Sequence, residues 1–345
     1  YQQDEWQTLG HNLAGRSWFS GNPIQLLFNE LRPFSQVMYG VLLGYYKFTV
    51  VPATLLAIFL HFLISALLFY LVNYLTKNRI IAFLAAVFLV VNSVSHQAVT
   101  WVSAISTLPA VVLILTSLIF YFWYLDRKGR KFLYLSVVSA ILSLYFKGIG
   151  LFLFVLLPLL PFIYQNKSFS KKNLLFILKD NLMFLVFGFL MFAVRFSSTF
   201  FRTEEVAGYA SGGGSGSFIY TILLRTILYP LTSLFQIFVP PLDLYSITPV
   251  ITKMQYKFLV GSPLVDLVAQ SIVADMVSIV GSLLILFLTF SIVLKNRDVV
   301  LRRNLLFAII FFFLCFLPYV ALDRDSSYLS SRYFYIGLIP AGILF

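Results

Sequence analysis

A chain of 345 residues that is 60% hydrophobic, 18% aromatic and only 11% charged is not a soluble globular protein, which would be about 45–50% apolar and about 25% charged. The mean hydropathy of +0.91 excludes a disordered chain, and the single cysteine, Cys315, excludes an internal disulfide or a cysteine-rich metal module. Lys and Arg number 25 against 13 Asp and Glu, a net charge of +12, but the excess lies in short clusters between apolar runs and not on a nucleic-acid face.

Residues 1–49 are predicted to form a first external loop with juxtamembrane helices. Apolar runs follow at 50–75, 80–94, 104–125, 132–146, 149–164, 182–200, 271–294 and 305–322, and a ninth starts at Tyr333. The shorter ones can cross a bilayer by using flanking Ser, Thr and aromatic residues at the interfaces. The basic clusters at 77–79, 127–131, 167–172 and 295–303 belong on the inner side. That placement gives six transmembrane helices over 50–200, an external region over 201–270, and further transmembrane helices over 271–345. Parity then requires 219–240, which contains Arg225, Pro230 and Gln236, to be a juxtamembrane or re-entrant pair of helices on the outer face. The Gly/Ser-rich stretch 210–217 reads as a flexible external loop. The predicted fold class is all-α, a polytopic transmembrane helical bundle. The chain opens at Tyr1 without Met and ends at Phe345 inside an apolar run, so at least one helix is expected before it and several after it.

Acidic residues are scarce, and the polar clusters fall in the predicted external segments. The first cluster holds Asp4 and Glu5. Adjacent carboxylates point in different directions and can do different jobs, or can merely solvate a helix end. The second runs from Asn92 to Gln97 with His96, followed by Trp101; it is a site or an interfacial cap. The third holds Asp323, Arg324 and Asp325 and leads to Arg332 and Tyr333. Arg suits phosphate because its planar fork binds bidentately, although Asp–Arg pairs on a solvated loop contribute little. Lys147 lies at an outer helix end, either snorkelling to the interface or pairing with a lipid phosphate. His11, His61 and His96 have no zinc spacing, and His61 reads as a satisfied intramembrane contact. Walker, dinucleotide-binding and kinase motifs are absent.

In order and spacing these segments resemble GT-C glycosyltransferases, and most nearly the protein O-mannosyltransferase family, in the branch often joined to tetratricopeptide repeats. Asp4–Glu5 matches the acidic pair of that family's first external loop. Leu31–Arg32–Pro33–Phe34 is similar to its "RPL" stretch, and His61 falls where the family has Asn-x-x-x-His. Residues 92–103, NSVSHQAVTWVS, resemble "HPxHxEAVxWIS". Phe146–Lys147–Gly148–Ile149–Gly150 resembles "SKExG", with Gly148 in place of the Glu. Residues 238–242 are loosely similar to "P-x-x-L", and Ser331–Arg332–Tyr333–Phe334–Tyr335 to "ERxLYLP", with Ser331 in place of the Glu.

The resemblance implies a GT-C bundle that takes a sugar, mannose in the family, from a polyprenyl-phosphate donor and passes it to a protein or glycan acceptor. Asp4 would be the base. Arg332, Arg324 and Lys147 would hold the donor phosphate. Glu5, His96, Trp101, Arg32 and Tyr333 would orient the substrates. A divalent metal on Asp4 and Glu5 is open, as in some GT-C relatives, and no other cofactor is implied. The protein would be multi-pass, in a bacterial or archaeal plasma membrane or in the endoplasmic reticulum. The chemistry is self-consistent: a sugar phosphate already carries a good leaving group, so one base and cations on the departing phosphate suffice, unlike the paired carboxyls of glycosidases. Two other readings stay open. A lipid-linked glycan polymerase or ligase would favour an external loop rich in Arg and His, whereas 201–270 holds only Arg202 and Arg225 and no His. A transporter would place ionisable residues and broken helices at the midplane.

Overall fold

The computed structural model describes residues 33–39, 41–42, 49–101, 104–126, 129–165, 170, 177–201, 215–239, 263–296, 298–320 and 331–344. Among these the regular structure is entirely helical, as the composition demands. In chain order the helices are α1 (Pro33–Tyr39), α2 (Val51–Thr76), α3 (Arg79–Val91), α4 (His96–Thr100), α5 (Thr107–Leu125), α6 (Arg130–Phe146), α7 (Leu153–Tyr164), α8 (Leu182–Phe201), α9 (Ser215–Phe238), α10 (Pro263–Lys295), α11 (Val299–Cys315), α12 (Ser331–Phe334) and α13 (Leu338–Leu344). Short tight turns of helix at Ser93–Ser95, Gly148–Phe152, Leu317–Tyr319 and Tyr335–Gly337 link several of them.

Among the described residues four spans, Val51–Thr76, Thr107–Leu125, Val273–Lys295 and Val299–Tyr319, are long and apolar enough to cross a membrane. A fifth forms if Arg79–Val91 and Ser93–Thr100, which meet at a 51° bend, count together. Helix α2 has 26 residues, about 39 Å at 1.5 Å per residue, against a hydrocarbon core of about 30 Å. Pro52 fits its first turn, where a missing N–H costs no helical bond. Many large apolar side chains on α2, α3, α8 and α10 are exposed, Phe62, Phe189 and Phe287 among them. Exposed apolar faces on helices of this length suit a membrane protein, with lipid against them.

The turn after α2 is two residues long. Lys77 closes α2 in the left-handed conformation, φ 56°, and its N–H bonds Asn73 O at 2.9 Å. Asn78 then caps α3, its Oδ1 accepting from the N–H groups of Ile80 and Ile81 at 2.9 and 3.3 Å. So short a turn forces α2 and α3 to run antiparallel as neighbours. Helices α5 and α6 form the tightest pair. Ser117 and Ser136 donate to each other's carbonyl oxygens at 2.9 and 2.7 Å. Small hydroxyl residues let membrane helices approach closely while satisfying each other. Asp298 caps α11, accepting from the N–H groups of Val300 and Leu301. The core between α5, the turn Gly148–Phe152 and α11 is aromatic: Phe152 stacks on Phe311 with centroids 5.2 Å apart, and Phe122 meets Phe307 edge-on at 5.6 Å.

The basic turns gather at one end. Tyr74 donates to Asp126, Tyr124 to Asp180, Asn304 to Leu75 O at 3.2 Å, and Arg303 to Tyr164 O at 3.0 Å. Two expectations are corrected. Residues 219–240, expected as a pair of helices, lie mostly in one helix, α9, which runs through Pro230. Its last turns are tied to α10: Ser282 Oγ accepts from Phe235 N at 2.9 Å, and Ser278 Oγ from Gln236 Nε2 at 3.2 Å. The stretch from Tyr333 does not begin a straight span; it is broken into α12, the turn Tyr335–Gly337 and α13.

Candidate functional site

The end of the bundle away from the basic turns is where its helices break. Helix α3 stops at Asn92, whose extended backbone (ψ 123°) leaves its side chain to accept from Val94 N at 3.0 Å. Asn92 Nδ2 donates in turn to Ile237 O at the end of α9, at 2.9 Å. Helix α6 stops at Lys147, also extended, with φ −156° and ψ 139°. The next turn folds back against α6 so closely that a Cβ on Gly150 would lie 1.9 Å from Ser143 Oγ. Helix α11 gives way to Leu317–Tyr319, which packs on Gly148–Phe152.

Lys147 joins these breaks. Its side chain is buried, 8% exposed, an unusual state for a lysine in any protein and a functional mark inside a membrane protein. The ammonium Nζ donates to Thr107 Oγ1 at 2.5 Å. It also lies 5.5 Å from the centroid of the Tyr333 ring, within reach of a cation–π attraction. Thr107 is the first residue of α5, so the ammonium sits at the positive end of a helix of 19 residues. Both features favour an anion nearby. Tyr333 is braced by Tyr319, ring centroids 4.8 Å apart, and α12 packs on α4 and Ser93–Ser95.

Helix α1 covers this end. Ser35 donates to Phe146 O, and Phe34 packs on Phe146 and Tyr145 at 5.3 and 5.4 Å. The Tyr39 hydroxyl donates to Ser106 Oγ at 3.1 Å, beside Thr107. Deeper in the bundle His61 Nδ1 and the Tyr335 hydroxyl share a hydrogen bond of 2.6 Å, tying α2 to the turn behind Tyr333.

The structure therefore brings together Lys147 and Tyr333 from the sequence-predicted set. His96 is exposed at the start of α4, and its carbonyl accepts from Thr100 Oγ1 at 2.8 Å. Trp101 is half-buried just past α4. Arg332 lies in α12 beside Tyr333; its side chain is outside the described set. Asp4, Glu5, Arg32 and Arg324 fall outside the described residues. The described residues hold no group of three or more His, Cys, Asp or Glu placed to bind a metal, and the acidic pair lies outside that set. Sequence reasoning missed Thr107 and Ser35: a hydroxyl at a helix start is too common a feature to single out. No protein-family model, no curated protein and no solved structure matches this chain.

Proposed function

We propose that this protein is a membrane glycosyltransferase of the GT-C type, which moves a sugar from a polyprenyl-phosphate carrier to an acceptor hydroxyl on the face opposite the basic turns. The observation that carries the reading is the position of the Lys147 ammonium, buried at the first residue of α5 and against the Tyr333 ring. An ammonium and a helix N-terminus side by side match a phosphate whose charge grows as the sugar departs. Three of the segments that the likeness to protein O-mannosyltransferases singles out also lie here, as far as they are described: 146–150, 92–101 and 331–335.

In this reading the acceptor oxygen attacks the anomeric carbon from the side opposite the carrier. The bond between that carbon and the phosphate oxygen breaks, and its electron pair leaves with the phosphate. Asp4 takes the acceptor proton, and the anomeric centre inverts. Lys147 and Arg332 stabilise the leaving phosphate, and Arg324 assists. Glu5, His96, Trp101, Arg32 and Tyr333 orient donor and acceptor, with Tyr333 also fixing the ammonium. A divalent metal, if one is used, would sit on Asp4 and Glu5. The donor, the bilayer and a protein or glycan acceptor are the partners.

The test is direct. Purified protein in nanodiscs is given a panel of polyprenyl-phosphate hexoses with hydroxyl acceptors, and sugar transfer is followed. Transfer that disappears in Lys147→Met while donor-free folding is kept supports the reading. Absence of transfer from every donor, together with lipid or solute movement across sealed vesicles, replaces it with a transporter.

A further inference from the structure

The opposite end of the bundle carries a second site. A cavity of about 340 Å³ is lined by Tyr70, Asn73, Tyr74, Lys77 and Arg79, all from the end of α2 and the start of α3. It is separate from the Lys147 junction, and the proposed transfer reaction makes no use of it. We infer that this cavity binds the headgroup of an anionic phospholipid from the leaflet at the basic end.

The turn itself is the first reason. Lys77 holds φ 56°, a conformation that L side chains avoid and that helix ends usually give to Gly or Asn. An asparagine is next door, but Asn78 is engaged in capping α3. The left-handed position is thus filled by a lysine whose Nζ stands 4.3 Å from the Tyr74 ring centroid. The ring holds the ammonium at the cavity while its charge remains available to an anion.

The second reason is charge and hydrogen bonding. Lys77 and Arg79 are both exposed and both line the cavity. No carboxylate lines the cavity among the described residues, and Asp126 beside it accepts from the Tyr74 hydroxyl. The Trp123 indole donates to the Tyr70 oxygen at 3.2 Å, which leaves the Tyr70 hydroxyl hydrogen as a donor toward a ligand. Asn73 adds an amide. Two cations with phenol and amide donors form a complement to a phosphodiester.

The third reason is depth. Tyr70 packs on both Tyr74 and Trp123, and Trp123 packs in turn on Phe120 and Phe132. Such a belt of aromatic rings marks the level of the headgroups. A basic pocket between helices at that level takes a lipid headgroup. The volume is at the lower end for ligand sites and suits a phosphate with a small polar group.

The experiment uses the whole chain in nanodiscs of phosphatidylcholine, with phosphatidylglycerol as the probe. Native mass spectrometry gives lipid retention, and thermal unfolding gives the stability shift. Wild type and Lys131→Gln, which removes a cation from the same end, should retain phosphatidylglycerol alike. Lys77→Gln and Arg79→Gln should each weaken retention about fivefold. Lys77→Gly separates ligand from fold: it relieves the left-handed strain, so it should melt higher in phosphatidylcholine and still lose phosphatidylglycerol as Lys77→Gln does. Undiminished retention in Lys77→Gly and Lys77→Gln overturns the site. Equal loss in Lys131→Gln overturns it in favour of diffuse surface charge. Full competition by millimolar inorganic phosphate overturns the lipid as occupant.

Discussion

Lys147 and Thr107 meet across a break in the bundle, Nζ to Oγ1 at 2.5 Å, although they are 40 positions apart in sequence. One ends α6 and the other begins α5, and these two helices pack on each other along their length. The pair therefore places a cation at the positive end of a helix, an arrangement that favours an anion beside it. Removing the cation should be costly and removing the hydroxyl less so. Lys147→Met is expected to lower sugar transfer about 10²–10³-fold, the scale for losing one preorganised charge partner. Thr107→Val should lower it less and should raise the KM for the lipid donor more than it lowers kcat. Lys147→Arg should recover part of the rate. Initial rates at varied donor concentration check all three; equal activity in Lys147→Met and wild type would make the lysine a structural anchor.

The fit of Gly150 against Ser143 gives a stability prediction that is independent of function. A Cβ at 150 would fall 1.9 Å from Ser143 Oγ and 3.2 Å from its Cβ. Ser143 is buried and its hydroxyl donates to Ala140 O at 2.7 Å, so it has little room to turn away. Gly150→Ala should destabilise by about 1–3 kcal/mol, the usual cost of overpacking. Ser143→Ala should be mild, and the double variant should recover most of the loss, a coupling typical of residues in contact. Thermal unfolding in one detergent measures the cycle. Additive effects would show that the turn moves as a body instead of packing against Ser143.

How far the sequence foretold this arrangement depends on which residue is asked. The limits of α2 and α5 could be read from apolar runs closed by Lys77 and Asp126. The continuity of α9 could not, because Pro230 looks like a break, yet membrane helices tolerate proline, and the last turns of α9 are held to α10 by Ser282 and Ser278. Lys147 stood out as a charge between two apolar runs. Thr107 did not, because its role comes from a partner that only packing reveals. His96 stood out as a histidine in a polar cluster, and the structure places it exposed at the start of a short helix. Periodicity and charge report where a chain crosses a boundary, whereas a site made of helix breaks depends on long-range contacts that leave no local trace.

Sidedness is testable by cysteine labelling. The positive-inside pattern puts Lys128 and Arg302 inside, and Ser215 and Ser326 outside. Cys315 is buried, so Cys315→Ser gives a silent background. Single cysteines at these four positions should react with an impermeant maleimide only from the assigned side of oriented vesicles. Reaction of position 128 from the outer side would invert the assignment and move the Lys147 junction away from the face where the acceptor is proposed to lie.

The acidic pair offers the sharpest trial of the proposed chemistry. Transfer from a polyprenyl phosphate needs one carboxylate to take the acceptor proton, because the phosphate leaves without an acid's help. Asp4→Asn keeps the size and hydrogen-bonding capacity of the side chain but cannot accept that proton. It should lower turnover about 10²–10⁴-fold while leaving donor binding near wild type, since the proposed charge partners of the phosphate are Lys147 and Arg332. Glu5→Gln should cost less if Glu5 orients and does not accept. Arg332→Ala should do the opposite of Asp4→Asn and weaken donor use first, with Arg332→Lys restoring part of it because a point charge replaces the fork imperfectly. Initial rates at saturating donor, with donor binding measured on the same preparations, separate these outcomes. Loss of turnover in Glu5→Gln with retention in Asp4→Asn would exchange the two roles. Retention in both would leave the pair as a solvated helix end, and the base would have to be sought among the side chains around Tyr333.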